Sequence, residues 1–223
     1  MAKRLEELPL FPLNTVLFPY AQIHLHVFEE RYREMIQNCI RQELPFGVVL
    51  IRDGQEVGGP VEPYMVGTAA RIVTVQTHDD GRMDISANGE RRFRIRQIEE
   101  SKPYMVGLVE PIVESSISDS IESDVMVRRA RDSAMTYIAN YFAGLDVRVA
   151  RVTLHEDPMI LSFMIASLLQ IPNLERQHLL ETTDTMERLG EMIPILDRLI
   201  EENTHSSLTR LRADDVVRGL SNN

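Results

Sequence analysis

The stretch LPLFPLNTVLFPYAQIHLHVFEERY, residues 8–32, decides the fold of this chain. Its apolar residues are typical of β-strands, but three prolines interrupt them. Because proline has no backbone N–H to donate, it occurs at strand starts, strand edges and bends. We therefore predict an edge hairpin, with Leu13–Phe18 and Gln22–Val27 as its strands and Pro19-Tyr20 as its turn.

A helix is predicted directly after Phe28. Glu29 begins the segment EERYREMIQNCI, in which apolar residues recur at near-helical spacing. A carboxylate in the first turn is favourable because it faces the positive end of the helix dipole. Cys39 is the only cysteine of the chain and lies among apolar neighbours. We expect it to be a buried structural residue rather than a nucleophile.

Between this helix and residue 113 the sequence favours strands. Valine, isoleucine and aromatic residues dominate, and glycine or proline separates the runs. His78-Asp79-Asp80-Gly81 joins two of them, and Asp-Gly is a strong signal for a tight hairpin turn. Near-continuous antiparallel pairing of about six strands would close into a small barrel or a strongly curled sheet. The runs are FGVVLI (46–51), YMVGTAARIVTVQT (64–77), MDISA (83–87), RRFRIRQI (91–98) and YMVGLVEPIV (104–113).

The apolar period becomes helical in the second half of the chain. Helices are predicted to begin at Asp157-Pro158, where proline suits the first helical position, and at Asp184, a capping residue. The sequence therefore predicts an α+β protein. Its expected organisation is a β-rich subdomain at 1–113, a polar connector at 114–123, a helical bundle at 124–202 and a polar tail at 203–223.

Charge and composition narrow the classes of function. The chain carries 34 acidic and 24 basic residues, and its net charge is −10. Because this charge repels polyphosphates, broad nucleic-acid binding is disfavoured. No apolar run approaches the ~20 residues of a membrane helix, and no signal peptide opens the chain, so the expected location is the cytoplasm. A single cysteine excludes an internal disulfide, which agrees with that location.

Several short segments follow one another along the chain: LPLFPL, VLFP, HVFEERY, FGVVLI, VGTAARI, the DGR turn, NGERRFRI, DPMILSFMIASLL and ERQHLLETTDTMERL. In this order and spacing they resemble the N-terminal, substrate-binding domain of Lon proteases. The resemblance runs from about Leu5 to about Glu202. It implies a PUA-like barrel with one helix, followed by a helical bundle, and a role in protein binding. In full-length Lon proteases an ATPase module and a Ser-Lys protease domain follow, so the chain is similar to free-standing members of the family.

The motifs of an ATPase or a Ser-Lys protease are missing from the sequence. The phosphate-binding pattern GxxxxGK[ST] occurs nowhere, and glycines 54, 58 and 59 have no lysine beside them. Ser101 and Lys102 are adjacent, so in a strand their side chains point to opposite faces and cannot share a proton. We therefore expect no catalytic residue and no cofactor.

Two histidines present a possible metal site. His24 and His26 share one face of a predicted strand and could chelate a metal. No further histidine, cysteine or pair of carboxylates clusters with them at ligand spacing. A surface or interface pair is therefore the favoured interpretation, and no metal is expected.

A run of arginines follows the predicted hairpin turn. Arg92, Arg94 and Arg96 are expected to line one solvated strand face, while Phe93 and Ile95 enter the core. Binding of single-stranded nucleic acid is the alternative, but a buried Phe93 could not stack on bases. Pairing with carboxylates, including those of an acidic peptide, fits the acidic chain better.

The sequence thus predicts a non-catalytic module that recognises proteins or peptides. Exposed apolar segments of client proteins would bind in a groove between the β-rich subdomain and the bundle. Small-molecule or nucleic-acid binding by a PUA-like barrel is the alternative. The expected partners are unfolded or partly folded protein segments, with a separate protease or ATPase and a second copy of the chain as further candidates, and no membrane. The candidate peptide-binding residues are Pro19, Tyr20, His26, Phe28, Glu29, Arg31, Tyr32, Arg71, Arg92 and Arg94.

Overall fold

The computed structural model describes residues 5–99, 102–115, 120–144 and 153–220, with side chains to residue 203. These residues form six strands and five helices, which confirms the predicted α+β class. The strands are β1 (Glu6–Leu13), β2 (Gln22–Val27), β3 (Phe46–Gly54), β4 (Val61–Thr77), β5 (Met83–Glu99) and β6 (Val106–Pro111). The helices are α1 (Glu30–Gln42), α2 (Ile121–Gly144), α3 (Pro158–Leu168), α4 (Asn173–Glu181) and α5 (Thr185–Leu220).

The six strands belong to one sheet, which closes on itself. Their order is β2-β5-β4-β3-β1-β6, and β5 also pairs with β6. β1 and β3 run parallel, whereas the other pairs are antiparallel. Closure is possible because β5 is 17 residues long. Its residues Met83–Asn88 pair with β2, and its residues Phe93–Glu99 pair with β6. The curled, barrel-like sheet predicted from the sequence is confirmed.

The predicted edge hairpin is wrong in its first strand. Residues 14–18 are not a strand, and β1 comes earlier and contains Pro9 and Pro12. β1 pairs with β6 through residues 6–9 and with β3 through residues 10–13, not with β2. Within the described sheet each half of β1 therefore has a strand partner on one side. A proline in β1 whose nitrogen faces away from the paired strand therefore removes no hydrogen bond between strands.

Two predicted turns are confirmed. Tyr20 has a φ of 65°, and the Ala21 N–H donates to the Phe18 carbonyl at 3.2 Å, so the chain reverses before β2. Between β4 and β5, the Gly81 N–H donates to the His78 carbonyl at 2.9 Å, and Gly81 has a φ of 82°. This positive φ is the reason why glycine suits the last position of the Asp-Gly turn.

The two strands predicted at 83–87 and 91–98 are one continuous strand, β5. Gly89 lies between them and beneath the turn before β2. Its N–H donates to the Ala21 carbonyl at 2.8 Å, and a Cβ at this position would overlap the Phe18 carbonyl oxygen. Gly89 therefore makes room for the turn and does not end the strand.

α1 packs on the sheet with the apolar face that the sequence predicts. Tyr32, Met35, Ile36 and Cys39 are buried. The Tyr32 ring stacks on Phe11 of β1, with the ring centroids 4.2 Å apart. Burial of each such large side chain stabilises the fold by roughly 1.5–3 kcal/mol. The predicted helix and the buried position of Cys39 are confirmed.

Contacts divide the chain into two compact units. The division differs from the predicted bundle at 124–202, because residues 162–183 group with the sheet. In that segment the Gln177 side-chain amide of α4 donates to the Val66 carbonyl of β4 at 3.0 Å. That the two units are independent subdomains stays a prediction. The sheet unit comprises 1–115 and 162–183, and the helical unit comprises 116–161 and 184–223.

Within the helical unit α2 packs against α5. Ala130, Ala134 and Ile138, at helical spacing on one face of α2, are buried. Both predicted helix starts are confirmed, because one carboxylate oxygen each of Asp157 and Asp184 accepts two backbone N–H groups of the first turn, at 2.8–3.1 Å. Such caps contribute about 1 kcal/mol each.

Two predicted segments are described only in part. Residues 116–119 of the connector lie outside the described residues. α5 continues to Leu220 and so covers most of the predicted tail at 203–223. No helix in the described ranges is both long enough and apolar enough to cross a bilayer.

Candidate functional site

Three of the predicted peptide-binding residues lie beneath the surface. Pro19, Tyr32 and Arg92 are buried, so they support the fold and offer no surface to a peptide in this structure. Desolvation by burial raises the pKa of the Tyr32 hydroxyl. Tyr20, next to Pro19, is half exposed at the tip of its turn, with its ring centroid 6.4 Å from that of Phe163.

The position of Arg92 corrects the predicted solvated strip of arginines. Arg92 is 2% exposed, whereas Arg96 on the same strand face is exposed. The Arg92 guanidinium donates to the Thr182 carbonyl at 2.8 Å and forms an ion pair with Glu114. Strand alternation correctly places Arg92 and Arg96 on one face of β5. It does not reveal that α4 and the segment after β6 cover one end of that face. Arg94, between them, is half-buried.

A small cleft of about 140 Å³ lies at the entry to α1. Phe28 and Val57 are exposed beside it, and Glu29 contributes to its lining. The Arg31 guanidinium forms an ion pair with the Glu29 carboxylate, with 2.9 Å between the nearest nitrogen and oxygen. It also lies over the Tyr32 ring, 4.6 Å from the ring centroid. Phe28 and Glu29, two of the predicted peptide-binding residues, thus line this cleft, whereas Arg31 lines a different one of about 390 Å³ beside Gly58 and Pro60.

A larger cleft of about 400 Å³ lies between the end of α1 and β4. We call it the α1–β4 cleft and define its apolar lining as Ile40, Leu44, Val73 and Val75. These side chains are 40, 50, 54 and 40% exposed. Scattered apolar residues are normal on a surface, but four aliphatic side chains around one concavity are typical of an interaction site. Arg71 is the one predicted site residue that lines this cleft.

The β4 strand that forms one wall of the α1–β4 cleft has an open edge. β3 pairs with β4 only as far as Ala70, opposite Phe46. From Arg71 to Thr77, the strand partner found among the described residues is β5, on the other side. Backbone N–H and C=O groups on the α1 side of this segment therefore point toward the cleft, where an added strand could pair with them.

Charged groups stand at one end of the α1–β4 cleft. The Arg71 guanidinium pairs with the Glu90 carboxylate and donates to the Glu43 carbonyl at 3.0 Å. The hydrogen bond to Glu90 raises the pKa of Arg71. Arg71 is half exposed at this end of the cleft.

His26 takes part in a cluster that the sequence did not predict. Its Nδ1 lies 2.6 Å from one Asp84 oxygen, and Nε2 of His78 lies 2.6 Å from the other. Hydrogen bonds from His26 and His78 lower the pKa of the Asp84 carboxyl. His24, the predicted partner of His26, instead contacts the Ser86 hydroxyl at 2.9 Å. The other two groups of the cluster, Asp84 and His78, come from distant positions, which sequence spacing alone cannot reveal.

The one thiol does not provide a nucleophile. Burial raises the pKa of the Cys39 thiol to about 11, so the thiolate is scarce near neutral pH. Lys102 lies with its ammonium 5.7 Å from the Tyr104 ring centroid. Ser101, the other member of the Ser-Lys pair considered from the sequence, lies outside the described residues.

Comparison with known proteins identifies the family. The family described as the ATP-dependent protease La (LON) substrate-binding domain matches residues 7–198. A Lon protease of Paraburkholderia phytofirmans is 30% identical over 88% of this chain, and Lon protease 2 of Syntrophobacter fumaroxidans is 29% identical over 88%. In both, the match covers 25% of the relative, so the chain spans about a quarter of the length of these proteins.

Solved structures agree with this result. A Lon N-terminal domain protein from Xanthomonas campestris is similar with a TM-score of 0.60 and 28% identity, over 85% of this chain and 98% of the other. The N-terminal domain of a Mycobacterium avium complex Lon protease has the same fold, with a TM-score of 0.63 and 19% identity, over 88% and 98% of the two chains. The chain described here therefore belongs to the family of LON substrate-binding domains, whose role is substrate recognition.

Proposed function

We propose that this chain binds exposed apolar segments of client proteins in the α1–β4 cleft. The observation that carries the proposal is the exposed aliphatic lining formed by Ile40, Leu44, Val73 and Val75. Covering such a surface with apolar side chains is favourable by roughly 25 cal/mol for each Å² removed from water. The family supplies the context, since its members are described as substrate-binding domains.

The open edge of β4 suggests how a segment would bind. An extended client chain placed beside Arg71–Thr77 would pair with the backbone groups that β3 leaves unpaired beyond Ala70. Backbone pairing supplies affinity for many sequences, whereas alternate side chains select by their fit to the cleft. Every second client side chain would then lie against Val73, Val75 and the end of α1. This mode suits a module that must accept many clients.

The alternative ligands fit the structure less well. The cleft beside Phe28, at about 140 Å³, is smaller than the pockets of ~300–1,000 Å³ that hold most small ligands. The α1–β4 cleft, at about 400 Å³, is large enough, but its exposed aliphatic lining gives a small ligand few polar groups for orientation. The arginine strip expected to attract nucleic acid is interrupted, because Arg92 is buried against carbonyls and Glu114. The net charge of −10 also opposes a polyphosphate.

We propose that the client bound by this chain is a substrate for proteolysis. The relatives named above are Lon proteases, and the matching region is about a quarter of each of them. The client would be held by this chain and degraded by an ATPase and protease. We expect the purified 223-residue chain to hydrolyse neither ATP nor casein. Turnover that a single substitution in this chain abolishes would contradict that expectation.

A binding assay with one substitution in each cleft tests the proposed site. We would measure fluorescence anisotropy of a labelled unfolded peptide of about seven alternating apolar residues, the length that Arg71–Thr77 can pair. Val73→Glu should weaken binding about tenfold, because it places a charge where an apolar side chain would lie. Val57→Glu alters the cleft beside Phe28, and Val113→Glu alters a 70% exposed valine outside both clefts.

If the client binds in the α1–β4 cleft, the two control substitutions should differ from Val73→Glu in their effect on peptide binding. Val57→Glu and Val113→Glu should bind the peptide like the unchanged chain. A peptide with the same side chains but N-methyl groups on alternate amides should bind at least about tenfold more weakly, since it cannot donate to β4. Equal loss in the Val57 and Val73 variants, or no loss in either, would overturn the proposed site.

A further inference from the structure

We propose that His26, Asp84 and His78 form a binding site for Zn²⁺ or a similar first-row divalent cation on the outer face of the sheet. The cluster presents two imidazole nitrogens and a carboxylate oxygen, all within 4.8 Å of one another. This donor set is one that zinc accepts with a water as fourth ligand. The site is separate from the α1–β4 cleft and does not depend on peptide binding.

Strand register builds the cluster from three elements. His26 of β2 lies directly opposite Asp84 of β5, in the pairing that also sets His24 opposite Ser86. His78 is the first residue after β4, and its N–H donates to the Arg82 carbonyl at 2.8 Å. The tight β4–β5 turn thus returns the chain to Asp84 within six residues. Because hydrogen-bonded backbone holds all three Cα atoms, most of the ordering cost of the site is met by the fold.

The side chains need only small movements to become ligands. Nδ1 of His26 and Nε2 of His78 already face the two oxygens of Asp84, each at 2.6 Å. Donors around a tetrahedral zinc lie about 3.3 Å apart, given zinc–nitrogen bonds of about 2.0–2.1 Å. In the metal-free protein each imidazole N–H binds the carboxylate. On metal binding each ring takes the other tautomer, the proton passing through solvent to its second nitrogen, and the facing nitrogen offers its lone pair to the cation.

The nature of the donors selects the class of cation. Imidazole favours zinc and neighbouring transition metals, whereas Mg²⁺ and Ca²⁺ require oxygen ligands, of which the cluster supplies one residue. His26, His78 and Asp84 are all partly exposed, with side-chain exposures between 36 and 48%. An ion can therefore enter directly from solvent. Three protein ligands leave a coordination position for water or for a group from outside the chain.

Calorimetric titration of ZnCl₂ into the full metal-free chain tests the site. We expect saturable binding of one ion, and no comparable heat with MgCl₂ or CaCl₂. His78→Gln and Asp84→Asn should each reduce zinc affinity at least about tenfold, because each removes one ligand. His24→Gln is the matched control, since His24 lies on the same strand and face and contacts Ser86 rather than Asp84.

Spectroscopy separates loss of the ligand from loss of the fold. Far-ultraviolet circular dichroism should be the same for all four proteins, since the substituted side chains are on the surface. Ring signals of His26 and His78 should shift on zinc addition, while those of His24 stay in place. Failure of His78→Gln to weaken binding, or an equal loss in His24→Gln, would overturn the assignment whether or not the peptide assay succeeds. So would the absence of saturable zinc binding.

Discussion

The guanidinium of Arg92 donates a hydrogen bond to the carbonyl oxygen of Thr182, 2.8 Å away, although 90 residues separate them in the sequence. The same guanidinium also donates to the Leu180 carbonyl and pairs with Glu114. One strand residue thus satisfies carbonyl groups at the C-terminal end of α4, where a helix leaves its last carbonyls without internal partners. A cation at this end also suits the helix dipole.

Replacement of Arg92 by methionine should destabilise the chain strongly. The change removes the hydrogen bonds to the Leu180 and Thr182 carbonyls and the buried ion pair with Glu114, at an expected cost of about 2–4 kcal/mol in the free energy of unfolding. Urea unfolding monitored by circular dichroism measures it. Arg96→Met is the matched control, because Arg96 is 52% exposed where it pairs with Glu110. Its cost should stay below about 1 kcal/mol. Similar losses in both variants would show that Arg92 acts only as a surface charge.

Gly89→Ala should destabilise the junction between β5 and the turn before β2. A methyl group there would overlap the backbone carbonyl of Phe18, which cannot rotate away as a side chain can. The expected loss is about 1–3 kcal/mol, measured by thermal unfolding. In Gly59→Ala the nearest atom to the new methyl group is 3.9 Å away, so unfolding should be nearly unchanged. A neutral Gly89→Ala would mean that the turn can shift without cost.

Cys39 should make stability depend on pH in the alkaline range. Burial raises the pKa of its thiol from 9.0 to about 11, so the folded chain holds the proton more tightly than the unfolded chain. The stabilisation is fully present below pH 9 and is lost as the pH rises from 9 to about 11. The difference in unfolding free energy between the chain and Cys39→Ala, measured across this range, isolates the effect. A constant difference would contradict the raised pKa.

The sequence predicts which helices and strands form better than it predicts which residues are covered by a neighbouring element. Although β5 is predicted as two strands, α1 and most of β4 follow from local periodicity, and the turn at His78–Gly81 follows from Asp-Gly chemistry. The burial of Arg92 does not, because alternation assigns a residue to a face without naming the helix that covers it. β1 was missed for a similar reason: a proline is tolerated when its N–H side has no strand partner, which depends on the sheet order.

Sequence reasoning found part of the candidate site. Phe28 and Glu29, two of the predicted peptide-binding residues, line the smaller cleft. The larger cleft was recognised only through Arg71. The sequence does indicate an unusually long β4, whose valines continue beyond the part that pairs with β3. How far two strands pair, however, cannot be read from the sequence of one of them. The pairing of His26 with Asp84 likewise depends on register between strands 58 residues apart.

Hydrogen exchange of the backbone amides offers a direct test of strand addition at β4. In a strand, successive N–H groups point to opposite sides. Those of Arg71–Thr77 that face β5 are already paired, and those that face the α1–β4 cleft lie on the open edge. The register between β4 and β5 shifts at Val73, so alternation is continuous only over residues 74–77. A saturating unfolded peptide should therefore slow exchange at every second amide of residues 74–77, by at least about tenfold, and change the others there little.

The alternating pattern distinguishes two modes that a binding constant cannot separate. If the peptide only packs its side chains against Leu44, Val73 and Val75, exchange should slow at all nearby amides to a similar, small degree, because water is merely excluded. If the peptide pairs with β4, protection should alternate, and the Val73→Glu variant should lose it. Protection confined to residues 55–60 would instead place the client at the cleft beside Phe28. No protection anywhere in the sheet unit, with binding intact, would exclude both clefts and move the search for the client surface to the helical unit.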